Sequence, residues 1–146
     1  MTRDELIALA RSTAERHQLY PALVCAIIEQ ESSWNPWAVR YEPAFYDRYV
    51  LPLRARGEIT HETECRARAT SWGLMQVMGQ VARESGFTNT FLSALCDPAA
   101  GIDIGCSVLD HKLAAAEGNV SKALLLWNGG GNPNYAVEVL ARAEKY

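Results

Sequence analysis

One apolar segment, which begins at Pro21 and ends in acidic residues at Glu31, constrains the fold of this chain most. Pro21 suits the first position of a helix, because the N–H group that proline lacks would have no helical partner there. From Ala22 to Gln30 the residues are apolar almost all round a helix, a pattern typical of a buried helix. The sequence therefore predicts a central helix around which the rest of the chain is organised.

Glu31 lies in the last turn of this helix among bulky aliphatic residues. At about 100° per residue, Val24, Ile27 and Ile28 share its face, whereas Glu29 points almost oppositely, over small residues. Burial disfavours a carboxylate and raises its pKa, and the negative end of the helix dipole acts in the same direction. A carboxyl group that keeps its proton near neutral pH can act as a general acid. The alternative is a structural helix-end glutamate, because most carboxyls with shifted pKa values are structural.

Composition places the chain among soluble globular proteins and excludes several function classes. The 146 residues fit one domain, residues 1–146, with 49% hydrophobic and 21% charged residues. A net charge of −3 argues against nucleic-acid binding, which needs a basic surface. The N-terminal segment is amphipathic without the apolar core of a secretory signal, and no apolar run reaches membrane-spanning length. We expect a monomer that does not insert into membranes and is made in the cytoplasm, or exported without a cleaved signal.

The cysteine pattern argues against a metal centre and against disulfide bonds. The four cysteines form no CxxC pair and have no interleaved histidines, so a zinc site is not indicated. Disulfides are uncommon in cytosolic chains. We therefore predict four free thiols, no metal and no cofactor; the cysteines are Cys25, Cys65, Cys96 and Cys106.

Helix signals recur along the chain, and no segment has a convincing strand pattern. Besides the central helix, the predicted helices run from Thr2 to His17, from Leu74 to Ser85, from Asp97 to Gly118, from Lys122 to Trp127 with Ser121 as N-cap, and from Tyr135 to Glu144. Residues 41–70, rich in aromatics and broken by prolines, are predicted to be irregular with short helices. The fold class predicted is all-α or mostly α.

Three polar or aromatic features near these helices have two possible roles each. Gln76 is a polar residue within an apolar run, so it either faces solvent from a helix or lines a cleft. Trp34 and Trp37 flank an Asn-Pro turn after Glu31 and could stack on a sugar ring, although tryptophan more commonly packs against the core.

Three motifs in order resemble the catalytic domain of the soluble lytic transglycosylases, a lysozyme-like domain related to goose-type lysozyme. They are Glu31-Ser32 at the end of the buried helix, Gly73-Leu74-Met75-Gln76-Val77, and Trp127-Asn128-Gly129-Gly130 before a terminal helix that contains Tyr135. The resemblance covers the chain from about Leu19 to Tyr146. The short chain without accessory domains is similar to phage endolysins and to virion-associated wall-degrading enzymes.

The resemblance implies a lysozyme-like fold whose buried central helix ends at a catalytic glutamate, Glu31. The implied reaction is cleavage of the β-1,4 bond between N-acetylmuramic acid and N-acetylglucosamine in peptidoglycan, the expected partner. The resemblance implies that Ser32, Met75, Gln76 and Asn128 line the sugar cleft, and we assign Trp127, Tyr135 and Glu42 to substrate binding as well. The third motif of this family is usually Ala-Tyr-Asn, and this chain has Leu126-Trp127-Asn128. The implied setting is the periplasmic cell wall, which the enzyme reaches by holin-type release or as part of a virion.

Two chemical outcomes and one non-catalytic role stay open. A lytic transglycosylase needs one acid and forms a 1,6-anhydro-muramic end, whereas a hydrolysing lysozyme needs a second carboxylate. Glu42 and Asp47 are the candidates for that second carboxylate, unless they pair with Arg40 and Arg48. We expect the lytic reaction, with the goose-type hydrolase as the alternative. A module on the same fold that binds peptidoglycan without cutting it is the further alternative.

Overall fold

The computed structural model describes residues 1–146, and its mostly helical content confirms the predicted fold class. The α-helices are α1 (Arg3–Arg16), α2 (Pro21–Ser32), α3 (Pro43–Phe45), α4 (Leu51–Ala55), α5 (Glu62–Arg68), α6 (Gly79–Glu84), α7 (Pro98–Ala115), α8 (Val120–Asn128) and α9 (Tyr135–Ala143). A π-helical turn (Tyr46–Val50) joins α3 to α4, and a 3-10 turn (Leu92–Cys96) precedes α7. The strands are β1 (Val39–Tyr41), β2 (Thr70–Trp72) and β3 (Val77–Met78).

Helix α2 occupies the centre of the main hydrophobic core, as the apolar segment predicts. Its residues from Leu23 to Ile28 are all buried, and the helix packs against α1 and α9. Helix α1 begins with the predicted capping box, in which Thr2 and Glu5 satisfy each other's backbone N–H groups. The start of α7 is also confirmed, because the Asp97 side chain accepts a hydrogen bond from the Ala100 N–H.

A small three-stranded antiparallel sheet corrects the expectation that the chain has no strands. The strand order is β1-β2-β3, with Val39 opposite Trp72 and Ser71 opposite Met78. Strands of two or three residues are too short to show the alternating pattern on which strand prediction depends. The predicted helix over residues 74–85 is therefore wrong in its first part: α6 begins at Gly79, after a turn and β3.

Helix α8 begins earlier than predicted. Asn119, not Ser121, is its N-cap, and the Asn119 side chain accepts a hydrogen bond of 3.0 Å from the Lys122 N–H. Asparagine and serine are nearly equivalent as N-caps, so the sequence offers two candidate starts two residues apart, and the structure uses the first.

Residues 41–70 form short helices around a second, smaller core, in line with the irregular segment predicted there. Five residues make up this core: Tyr46, Val50, Ile59, Cys65 and Ala69. The four cysteines of the chain are free and buried. None of the helices combines the length and the apolar character that crossing a membrane requires.

The turn between β2 and β3 depends on Gly73. Its φ angle is +70°, and a Cβ atom added there would collide with the backbone carbonyl of Leu95. Backbone cannot move aside as the end of a flexible side chain can, so this turn tolerates only glycine. The turn also places Gln76 on the wall of a cavity that Glu31 lines.

We predict that Gly73→Ala destabilises the protein much more than Gly57→Ala does. Gly57 has nearly the same φ, +73°, but no atom lies within 4 Å of its added Cβ. The shared left-handed conformation costs alanine about 1 kcal/mol, and the clash at Gly73 adds about 1–3 kcal/mol. Urea denaturation of both variants measures the difference. Equal losses of unfolding free energy would contradict the close approach to Leu95.

Candidate active site

Glu31 is held at the end of α2 by the way in which the chain leaves that helix. Val24, Ile27 and Ile28 on its face are fully buried, so the helix cannot rotate without exposing them. Ser33 and Trp34 then adopt left-handed backbone conformations, with φ of 50° and 67°, and turn the chain sharply away. The Glu31 side chain is left half-buried, at the boundary between the core and an open cavity.

Two side chains donate hydrogen bonds to the same carboxyl oxygen of Glu31. The Tyr135 hydroxyl donates to Oε1 at 2.6 Å, and the Trp127 indole N–H donates to Oε1 at 3.1 Å. Oε2 has no hydrogen-bond partner in the protein and is not sealed from solvent. Because the donors occupy Oε1, a proton on the neutral carboxyl group resides on Oε2.

Burial raises the pKa of Glu31 above its ordinary value, and the three groups that act against burial do not cancel it. Those groups are the hydrogen bonds from Tyr135 and Trp127, and the positive charge of Arg40. The protonated form of Glu31 is therefore favoured over a wider pH range than for a solvated glutamate. Burial, together with the charge of Glu31, also raises the pKa of Tyr135, which keeps its hydroxyl proton as a donor.

Glu31 opens into a cavity of about 640 Å³ that we call the Glu31 cleft. Its walls come from the sheet, from α6, α7 and α8, and from the loop after α8. The lining residues are Glu31, Arg40, Glu42, Ser71, Gln76, Val77, Met78, Val81, Val108, Lys112, Trp127, Asn128 and Gly131. The mixture of apolar side chains with a few polar and charged groups is typical of a small-molecule binding site.

Of the residues predicted to line this cleft, Gln76, Trp127, Asn128 and Glu42 lie on its wall. Gln76 does so from the β2–β3 turn, at a φ of 50°, and not from a helix as predicted. Its amide is used inside the protein: Nε2 donates to the carbonyl groups of Ala38 and Gly73, and Oε1 accepts from the Ser71 hydroxyl. Gln76 therefore fixes the shape of the wall.

Asn128 has a comparable role in the glycine-rich loop that follows it. In the amide orientation that satisfies its neighbours, Oδ1 accepts hydrogen bonds from the backbone N–H groups of Asn132, at 2.7 Å, and Gly131, at 3.0 Å. These bonds hold the loop in the wall, although its glycines make it flexible in isolation.

Three predicted positions need correction, because their side chains do not line the cleft. The Met75 side chain is fully buried and packs against Gly105 in the core. The Ser32 hydroxyl lies 2.8 Å from the carbonyl oxygen of Leu74, a contact that ties α2 to the β2–β3 turn. Tyr135 is only 3% exposed and contacts Glu31 instead of open space. Ser32 and Tyr135 thus support the position of Glu31 from the protein side, and Met75 belongs to the core.

The two tryptophans after Glu31 have different surroundings. Trp34 is buried, and its indole N–H donates a 2.9 Å hydrogen bond to the Tyr146 hydroxyl. Trp37 is 74% exposed. Core packing is therefore the role of Trp34, whereas Trp37 keeps the exposure that stacking on a sugar ring requires.

The two candidates for a second carboxylate also separate. Glu42 lies on the cleft wall but forms an ion pair of 2.9 Å with Arg40. Asp47 is exposed and does not line the cleft. No group of three or more His, Cys, Asp or Glu side chains comes together in a way that could hold a metal ion.

Several wall residues escaped prediction, notably Lys112 and Val108 on α7, and Val81 on α6. Val81 and Val108 follow the ordinary apolar pattern of a helix, and Lys112 looks like any solvated lysine in a last helical turn. Only the packing of α7 beside α6 brings them to the cleft, so the sequence carries no local signal for them.

Comparison with known protein families gives one match that spans nearly the whole chain. The sequence model of the family described as the transglycosylase SLT domain matches residues 8–145. No solved structure gives a significant match to this chain.

Glu29 and Glu31, two residues apart on α2, should have opposite effects on stability as the pH rises. Glu31 binds its proton more tightly in the folded state than in the unfolded chain. Stability from Glu31 is therefore lost as the pH rises from its unfolded pKa of about 4.3 through its raised folded pKa. Burial alone would also raise the pKa of Glu29, but Lys145 and Arg142 outweigh burial and lower it. Glu29 thus contributes stability above the unfolded pKa, and this stability is lost as the pH falls.

We therefore predict that Glu31→Gln gains about 1 kcal/mol of unfolding free energy over the parent at pH 7, the scale typical of relieving a costly active-site group. At the same pH, Glu29→Gln should lose about 1 kcal/mol through its broken ion pairs. Both differences should shrink as the pH falls from 7: that of Glu31 below its unfolded pKa of about 4.3, and that of Glu29 only as the pH passes through its lowered folded pKa. Denaturation midpoints across this pH range measure the effect. A loss of stability at pH 7 in Glu31→Gln would contradict the costly burial of Glu31.

Proposed function

The chain belongs to the transglycosylase SLT domain family, and from this premise we propose that Glu31 alone supplies the acid and the base of the reaction. Membership makes the protein a peptidoglycan-degrading transglycosylase with the glycan strand as its substrate. The proposal adds which residue acts, in which protonation state, and with which product. The observation that carries it is the pair of hydrogen bonds on Oε1, which leaves Oε2 as the position of the proton beside the cleft.

In the first step, Glu31 donates the Oε2 proton to the glycosidic oxygen as the bond from that oxygen to C1 of N-acetylmuramic acid breaks. The N-acetylglucosamine hydroxyl leaves, and positive charge develops at C1, where the substrate's own N-acetyl group can stabilise it. Glu31 is now a carboxylate, and the donors Tyr135 and Trp127 bind that charged form more strongly than the neutral one. The site is therefore prepared for both protonation states.

In the second step, the Glu31 carboxylate accepts the proton of the C6 hydroxyl of the same muramic residue. The C6 oxygen forms a bond to C1, which gives a 1,6-anhydro ring, and Glu31 is again neutral. The proton that Glu31 gave is thereby recovered, and no water enters. One carboxyl group suffices if its pKa lies close to the working pH, because the same group must first give up a proton and then accept one.

The state of the other cleft carboxylate supports this lytic reaction over hydrolysis. A hydrolase needs a second carboxylate that can activate water or bind the sugar. Glu42 is already paired with Arg40 in an ion pair of 2.9 Å, which occupies one of its oxygens. Asp47 lies outside the cleft. Hydrolysis by a goose-type mechanism is the alternative that the product analysis below distinguishes.

We predict that the protein releases fragments with 1,6-anhydro-muramic ends, lighter by one water molecule than reducing-end fragments. Mass spectrometry of fragments from purified peptidoglycan measures this directly. Glu31→Gln should reduce the release rate at least about 100-fold, because it keeps the shape but removes the proton donor. Asp47→Asn is the matched control, an exposed acid outside the cleft, and should retain the parent rate.

Reducing ends in the fragments would contradict the lytic proposal, and Glu42→Gln would then be expected to lose activity in parallel with Glu31→Gln. Binding of glycan strands with no release by the parent protein would instead favour a module that binds peptidoglycan without cutting it.

The setting of the reaction is a separate part of the proposal. Peptidoglycan lies outside the cytoplasmic membrane, so the enzyme needs a route to it, and we propose holin-type release or carriage on a virion. For the first route, bacteria that express the chain from within should lyse only when a holin is co-expressed, as measured by culture turbidity. Equal lysis without the holin would contradict holin-type release.

A further inference from the structure

We propose that Lys112 binds a carboxylate of the substrate, at a subsite on the α7 wall of the Glu31 cleft. The inference rests on the proposed function, since it names a further feature of the glycan strand that the same cleft recognises. Neither the three motifs nor the chemistry of Glu31 requires a cation at this position.

The balance of charge in the cleft singles out Lys112. Four charged or titratable side chains line the cavity: Glu31, Arg40, Glu42 and Lys112. Arg40 and Glu42 neutralise each other in an ion pair of 2.9 Å. Burial favours the neutral form of Glu31. Lys112 forms no ion pair, so it is the one cation on the cleft wall without a carboxylate partner, although the chain as a whole has a net charge of −3.

The surroundings of Lys112 suit a carboxylate that lies beside a small apolar group. Lys112 is half-buried in the last turn of α7, and Val108, one turn earlier, is also on the cleft wall. Val81 of α6 lines the same cavity, and α6 packs against α7. A lysine packs its methylene stem along such an apolar surface and presents its ammonium group to the open space.

Peptidoglycan offers a carboxyl group with this character. Most of the glycan strand is neutral, with hydroxyl and acetamido groups that have no need of a cation. Each muramic residue, however, carries a lactyl group, which has a methyl group next to a carboxyl group. The lactyl carboxyl group is free where the stem peptide has been removed. Where the stem peptide is present, the lactyl carboxyl is an amide, and the stem peptide supplies carboxylates of its own. The shared chemistry is a carboxylate near C3 of the muramic ring, from either source.

The test compares three glycan substrates: strands with stem peptides, strands stripped of stems by an amidase, and stripped strands whose lactyl carboxylates have been converted to neutral methylamides. The variants are Lys112→Met, which keeps an unbranched apolar side chain but removes the charge, and Lys112→Arg, which keeps the charge. Lys122→Met is the control for net charge, since Lys122 is an exposed residue of α8 that does not line the cleft. KM and kcat are measured for each combination.

Lys112→Met should raise KM about fivefold to tenfold on carboxylate-bearing strands, the scale of a partly buried ion pair, with little change in kcat. It should leave KM on methylamide strands unchanged, and Lys112→Arg should restore the parent KM. An effect confined to stripped strands assigns the lactyl carboxylate, and one confined to stem-bearing strands assigns the stem. The effect should also weaken with added salt.

A similar rise in KM on methylamide strands would overturn the proposal, because Lys112 would then act through packing and not through charge. Unchanged KM on all three substrates would overturn it as well. If the parent protein releases no fragments, the proposed function fails, but Lys112 can still be tested by calorimetric binding of stripped strands to Glu31→Gln. In that background, equal affinity with and without Lys112→Met would overturn the subsite.

Discussion

The structure depends most on the two hydrogen bonds that converge on Oε1 of Glu31. Tyr135 opens α9 and Trp127 lies near the end of α8, so one carboxyl oxygen joins both helices to the end of α2. The contact is possible because α2 and α9 pack closely and the chain turns sharply away after Ser33. Tryptophan replaces the tyrosine usual in the third motif, yet a donor to the acid is retained. An indole can only donate, which fits a position that faces a carboxylate.

The same arrangement lowers the stability of the fold at a residue that the proposed chemistry needs. A carboxyl group among aliphatic side chains costs folding free energy in its charged form, and the two donors recover only part of that cost. Glu29, on the opposite face of α2, shows the ordinary solution, with Arg3, Arg142 and Lys145 around it. Glu31 has no such cation beside it, and Arg40, the cation that acts on it, is itself paired with Glu42. The cleft thus keeps an acid that the fold by itself would not favour.

The sequence predicts the parts of this account that depend on local signals. Helical periodicity, the proline at α2 and the caps of α1 and α7 depend on neighbouring residues, so they predict the helices and the face on which Glu31 lies. The sequence does not predict the small sheet, because its strands are too short for a period to appear. The second motif places both Met75 and Gln76 at the cleft, but only the left-handed turn at Gln76 decides which of the two side chains faces it. Lys112 depends on how α7 packs beside α6, a tertiary contact that no local pattern reports.

The central claim is that burial raises the pKa of Glu31 while Tyr135 and Trp127 both donate hydrogen bonds to its Oε1. Carbon-13 NMR titration of the glutamate carboxyl carbons, with Glu31→Gln used to assign the resonance, measures the pKa of Glu31 directly. The account predicts a pKa above the ordinary value of about 4.3, and a further rise in Tyr135→Phe, which removes a donor to the charged form. A pKa at or below the ordinary value in the parent protein would contradict the account, because Glu31 would then lack the proton that the first step requires.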